Sequence, residues 1–179
     1  MKAVKAYGTC ALIGYLLAGF SAAADPNPRL LGEYRMWDAF TFLDENGGTV
    51  CFVMSDPVQK EPNVLNRGQV YVMVTHRRKE KTSYVVSFYA GHTHKKGSNV
   101  EVQIGERKFE LLTDADSAWN EDAKADLSMT KAMVKGQSMI VRGTSANEIL
   151  TTDRYSLSGY ASAQRAADRK CNVDADLKN

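Results

Sequence analysis

Residues 70–104 read VYVMVTHRRKEKTSYVVSFYAGHTHKKGSNVEVQI. Val70, Val72 and Val74 alternate with Tyr71, Met73 and Thr75, and Val100, Val102 and Ile104 alternate with Glu101, Gln103 and Gly105. A period of two places successive side chains on opposite faces of a strand, so these runs are strands with one face toward a core. Between them, Ser83 to Ala90 (SYVVSFYA) is rich in β-branched and aromatic residues and reads as a third strand. The charged run 77–81 and the polar run 91–99 are then turns of an antiparallel meander.

The pattern extends in both directions. Upstream, 34–43 and 49–55 read as strands around the turn Asn46-Gly47-Gly48. Residues 56–68, with Pro57, Pro62, Asn63, Asn66 and Gly68, read as a loop. Downstream, 107–112, 137–143 and 151–157 read as strands. Asp122 to Lys135 has helical spacing and stops at Gly136. Ser158 to Lys170 turns to Ala, Gln and Arg, good helix formers, with Ser158 or Ser162 as candidate caps. The fold class is therefore mainly β: an antiparallel, immunoglobulin-like β-sandwich with a C-terminal helix and one more helix near 122–135. The sandwich domain is expected over 34–173, after a flexible segment at 25–33 and before a tail at 174–179.

The first 24 residues read as a secretory signal rather than a signal anchor. Lys2 and Lys5 precede the ten-residue apolar run 11–20, too short to span a bilayer, which needs about 20 residues. Ala22 and Ala24 stand at the −3 and −1 positions of a cleavage site before Asp25. Without the signal, 21 basic residues meet 21 acidic ones, and no integral membrane segment remains. That neutrality argues against a partner bound by phosphate neutralisation, so no nucleic acid is expected. Export also decides the cysteines. Cys10 leaves with the signal, and Cys51 and Cys171, 120 residues apart, are expected to join in an oxidising compartment. A redox-active pair would favour Cys-x-x-Cys.

Motifs of chemistry are sparse. His92-Thr93-His94 could place two imidazoles on one metal ion, with His76 or an acid as third ligand. Lys95 and Lys96 would repel a dication there, so a solvated loop without metal is expected. Ser128-Met129-Thr130-Lys131 matches the Ser-x-x-Lys of serine β-lactamases, but no Ser-Asp-Asn accompanies it. Asp114 with Asp116 and Asp174 with Asp176 lack an EF-hand spacing. The basic clusters 77–79 and 95–96 fall at opposite ends of a meander, about 20 Å apart, and are read as solvated turns. No cofactor is expected.

The run Thr152-Asp153-x-Tyr155-Ser156-Leu157-x-Gly159-Tyr160-x-x-Ala163, ending at Cys171, resembles the invasion-associated locus B family. Trp37, Cys51-Phe52-Val53-x-Ser55-x-Pro57, Val72-x-Val74-Thr75-x-Arg77, Ala90-Gly91-His92 and Ala118-Trp119 fit the same pattern. Family members often carry Ser-Arg-Gly-Thr before the Asp-x-Tyr-Ser-Leu run; this chain has Ser145-Ala146-Asn147-Glu148. The resemblance implies a small exported protein of Gram-negative bacteria with a β-sandwich core and no established enzymatic activity. Pathogenesis enters only by association with the family's name. Trp37, Asp153, Tyr155, Ser156, Leu157, Gly159 and Tyr160 are expected to be structural, not catalytic. The expected function is a non-catalytic periplasmic or envelope module with an unidentified protein or envelope partner. Rival readings are a secreted effector at host surfaces and a metal- or thiol-dependent enzyme. Intact-mass measurement of the exported protein should show loss of residues 1–24; a full-length mass in a membrane fraction would refute cleavage after Ala24.

Overall fold

The alternation in 70–104 builds the middle of a long antiparallel sheet. The computed structural model describes residues 27–63 and 67–173. The expected signal and cleavage site, the expected tail at 174–179 and the pair Asp174 and Asp176 lie outside the described residues. In chain order the elements are β1 (Arg29–Tyr34), β2 (Trp37–Leu43), β3 (Thr49–Ser55), β4 (Gln59–Glu61), β5 (Tyr71–Arg77), β6 (Thr82–Tyr89), β7 (Val100–Ile104), β8 (Arg107–Asp114) and β9 (Ser117–Trp119). They continue with α1 (Ala123–Lys135), β10 (Ser138–Thr144), β11 (Leu150–Ser156) and α2 (Tyr160–Cys171). The fold is mainly β with two helices, as the periodicities dictate.

The two layers expected of a sandwich are halves of one eleven-stranded sheet, ordered β1-β2-β3-β5-β6-β9-β8-β7-β10-β11-β4. β8 joins them: residues 107–111 pair with β7, and residues 112–114 pair with β9. The sheet folds over, so Phe88 on β6 meets Tyr155 on β11 ring to ring at 6.2 Å. Val72, Val74 and Val86 of one half share a single core with Val102, Val141 and Tyr155 of the other.

Three strands differ from the sequence reading. Residues 29–33, taken as flexible, form most of β1, because backbone pairing with β2 holds a segment whose own side chains are largely exposed. β4 is a short edge strand on β11 inside the expected loop 56–68. β9 is only three residues long. Neither of these short strands has room for an alternating pattern.

Each helix is pinned by a specific contact. The Asp122 side chain caps α1 by accepting from the Ala125 N–H at 2.7 Å. One turn on, the buried Asp126 carboxylate accepts from the Val86 N–H of β6 and from Asn120. α2 starts without a side-chain cap, so neither Ser158 nor Ser162 fills that role. Instead Gly159 adopts φ 97°. A Cβ there would overlap the Tyr34 carbonyl, so only glycine lets the chain turn against β1. Cys51 and Cys171 form the disulfide, with Cα atoms 6.0 Å apart, closing 120 residues. Cys171→Ser should therefore lower stability by about 2–5 kcal/mol in thermal or urea unfolding, without changing the strand content seen by circular dichroism. A variant as stable as the wild type would refute that role.

Candidate functional site

Three loops that are far apart in sequence converge beyond the ends of β6 and β11. The segment after β4 enters first. Arg67 lies nearly wholly buried and grips Asp153 of β11 with both guanidinium nitrogens, at 2.7 and 2.5 Å, while its Nε donates to the Ala90 carbonyl at 2.7 Å. Gly68 donates to the Gly91 carbonyl at 2.8 Å, and Gly91 has φ 66°. A side chain on Gly91 would press into the Gly68 carbonyl, so these two loops meet backbone to backbone.

The loop after β6 carries His92 and His94, whose rings meet edge to face at 5.3 Å. The third loop, 145–149, bridges to it: His94 pairs with Ser145, and the Ala146 N–H donates to the Thr93 carbonyl. Lys95 and Glu148 close the rim at 2.8 Å. Between the loops lies a cleft of about 230 Å³ lined by Pro62, Arg67, His92, Asn147, Ile149 and Thr151. Ile149, an exposed apolar side chain, lines it beside these polar groups.

His94 overturns the reading of a solvated loop. It is 7% exposed, and neither ring nitrogen makes a well-formed hydrogen bond. The ring lies over Gly143, which leaves room for it. Burial, then the neighbouring His92, holds the imidazole below its ordinary value of 6.5; Asp116 and the approach of the Thr144 backbone oppose this, and Arg67 adds to it. His92 stays part-exposed, with Nε2 3.4 Å from the Thr151 hydroxyl. His76, the proposed third ligand, sits at the opposite end of β5, buried and 3.0 Å from Asp168 of α2. Among the described residues, no group of three or more His, Cys, Asp and Glu side chains could hold a metal ion.

The carboxylate of Asp153 is committed to Arg67. Burial raises its pKa above the ordinary range, and the guanidinium opposes that shift. His92 lies near enough to oppose the shift as well. Burial pushes the Tyr155 phenol well up, so it stays protonated. Trp37 is fully buried, donates to the Ser156 carbonyl at 2.9 Å and packs against Tyr160 at 4.8 Å. Leu157 is in the core. Of the residues singled out in the sequence, then, His92, Ser145 and Asn147 line the cleft and Asp153 anchors its Arg67, while Trp37, Tyr160, Cys51 and Cys171 hold α2.

The other candidates are dispersed. The Ser128 hydroxyl accepts from Arg107 at 2.7 Å on the surface of α1. Asp114 and Asp116 bracket the exposed β8–β9 turn. The clusters 77–79 and 95–96 stand at opposite ends of β6, as the meander requires. Arg67 was missed altogether. It is one cation in a Pro/Asn/Gly loop, and its partner lies 86 residues away, so no local pattern marks it.

The model of the Invasion associated locus B (IalB) protein family matches residues 37–168. The crystal structure of invasion associated protein b from Bartonella henselae is similar in fold, with TM-score 0.50 and 16% identity, covering 78% of this chain and 96% of that one. Among curated proteins none matches the chain.

The His94 environment generates a pH prediction. A neutral imidazole is favoured in the fold and a charged one in the unfolded chain, so the contribution is complete above pH 6.5 and is lost as pH falls below it. The raised Asp126 and Asp153 carboxyls act in the opposite direction in the acid range. Wild type should therefore lose melting temperature relative to His94→Gln on acidification through 6.5; parallel profiles for the two proteins would refute this.

Proposed function

The chain belongs to the Invasion associated locus B family, and on that premise we propose that it is a non-catalytic, exported binding module of the bacterial envelope, held in the periplasm after signal removal. The observation that carries this reading is the preformed cleft. Its walls are fixed by a buried ion pair and by backbone contacts between loops, and the exposed Ile149 lines it. A preshaped cleft of mixed polarity suits recognition, because little ordering is needed on binding. The polar groups around it are already satisfied or held neutral. Asp153 is gripped by Arg67, the Ser145 hydroxyl accepts from the Ile149 N–H, and the Tyr155 phenol stays protonated. The one hydroxyl beside an imidazole, Thr151 at 3.4 Å from His92, donates to the Gly143 carbonyl at 3.3 Å and so is not poised as a nucleophile.

The cleft also contains the segment in which this chain departs from the family's frequent Ser-Arg-Gly-Thr. Ser145 and Asn147 line it, and Glu148 faces Lys95. Its partner is therefore selected by an amide and an apolar side chain rather than by an arginine. A secreted role at host surfaces is the second reading, favoured by the family's description alone.

Photo-crosslinking residues placed at Asn147 and Leu150 in living cells should trap a discrete envelope component, and Ile149→Asp should reduce that product at least about tenfold, the weight of one well-buried aliphatic contact. The same reagent at Glu110, on the far outer surface, should trap nothing specific. Equal products from Glu110, or products insensitive to Ile149→Asp, would overturn the assignment of the cleft.

A further inference from the structure

The outward faces of the two halves of the sheet differ in kind. On β7, β8 and β10 the outward positions include Glu101, Lys108 and Arg142, with Lys108 and Arg142 each 2.9 Å from Glu101. That face is built for water. On β2, β3, β5 and β6 the outward positions carry the half-buried Phe40, Phe42, Met54, Met73, Tyr71 and Tyr89 around Phe52, itself 7% exposed, with Thr75, Ser83 and Ser87 among them. Phe40 stacks on Phe52 at 5.1 Å, Phe42 meets Phe52 edge-on at 6.1 Å, and Tyr71 stacks on Tyr89 at 4.5 Å. Met54 and Met73 stand in register between the two groups. Both helices pack on the other side, where Tyr160 meets Trp37, Cys171 bonds Cys51 and Asp126 reaches Val86. Among the described residues no element covers the aromatic face. A contiguous apolar patch of this kind marks an interaction surface.

The charges at its corners identify the occupant. Asp38 lies on this face opposite Met54, and Glu33 stands directly beside it on β1. Like charges in register repel. Partial burial, then Glu33 and Asp56, holds the Asp38 carboxyl above its ordinary value. None of these three acids has an ion pair among the described residues. At the diagonal corner Arg77 lies on the same face opposite Val50, followed in the turn by Arg78, Lys79 and Lys81. These four cations face Glu80, 3.8 Å from Arg77, and Glu45, while Asp44 is turned onto the Asn46 and Gly48 N–H groups.

The corners are related by the sheet's own geometry. β3 lies between β2 and β5, and Phe52 sits two residues from both Met54 and Val50. Phe52 is therefore midway between Asp38 and Arg77. A twofold axis lying in the interface through Phe52 would set each copy's Arg77 against the other's Asp38, and Phe52 against Phe52.

We propose that the aromatic face of β2, β3, β5 and β6 is an isologous interface that pairs with the same face of a second copy of this chain. Self-complementarity of this sort is what a twofold dimer requires. Four strands about 4.8 Å apart and about 20 Å long give a flat area of roughly 400 Å². That falls short of the roughly 600 Å² per partner at the lower end of specific, stable interfaces, in the range of weak, transient ones. The dimer is thus concentration-dependent rather than permanent. This surface is separate from the cleft, and the proposal does not depend on what the cleft binds.

Sedimentation velocity of the purified exported chain, from low micromolar to several hundred micromolar, tests it. The weight-average mass should rise from monomer to dimer. Met73→Glu and Phe40→Glu should each weaken dimerisation at least about tenfold with unchanged circular dichroism. Asp38→Arg alone and Arg77→Asp alone should weaken it as well, and the two together should restore it, because the swapped pair re-forms across the axis. A folded wild type that stays monomeric throughout overturns the proposal, as does a double variant no better than the single ones. A monomer that instead binds anionic phospholipid vesicles, and loses that binding in Met73→Glu, assigns the face to a membrane and also overturns it.

Discussion

The end of the chain is folded back onto its beginning, and the rest of the architecture depends on that seat. Trp37 and Tyr160 are both fully buried and meet at 4.8 Å, while the Trp37 indole donates to the Ser156 carbonyl at the end of β11. Each aromatic ring buries on the order of 150–250 Å², several kcal/mol by area. Beneath α2, however, lie His76, Gln164 and Asp168, all buried. His76 Nδ1 accepts from the Tyr84 N–H, and its Nε2 meets both Asp168 at 3.0 Å and the Gln164 amide nitrogen at 2.8 Å. One oxygen each of Gln164 and Asp168, and the Tyr160 hydroxyl, have no partner. Such a network costs free energy unless the groups around it are held in place. The disulfide at the end of α2 offsets that cost by removing freedom from the unfolded chain, and Gly159 fixes the helix start against β1.

At the loop end a different device is used. Arg67 and Asp153 form a bidentate pair with almost no solvent contact. A buried pair of this type contributes little net stability, because desolvation of both charges offsets their attraction. Its effect is on shape: with the Ala90 carbonyl occupied by the same guanidinium, Arg67 is tied to β11 and to the end of β6 at once. The cleft thus takes its support from the sheet, although its lining comes from loops or strand ends. Breaking one partner would strand a charge in the interior, so cleft geometry and local stability are tied together.

What was legible in the sequence follows from range. The strands with alternating valines and the two helices were readable, because each is set by neighbours within four residues. β1 and β4 were not, since pairing with β2 and β11 makes them strands against their own composition. The continuity of the sheet through β8 was hidden for the same reason: one strand changes partner halfway along. In the site, the Asp153-x-Tyr155 run was visible, but its partner Arg67 was not. His94 was misread because its flanking lysines are exposed while its own ring turns inward under Ser145. The disulfide could be read, since export and a count of two cysteines leave one pairing.

The two helices also explain why one face of the sheet is left for something else. In a layered fold each apolar face must be buried against another element. Here α1 and α2 both lie on the inward side, where the folded-over half of the sheet already supplies part of the cover. The polar half needs no cover, because Glu101, Lys108 and Arg142 neutralise one another. The aromatic half has no such network and no helix. Its like-charged corner of Glu33, Asp38 and Asp56 is a local conflict that nothing among the described residues relieves. A sequence that satisfies its core so completely, down to a glycine placed against a single carbonyl, yet leaves that conflict on one surface, is consistent with a surface whose cover and countercharge come from outside the chain.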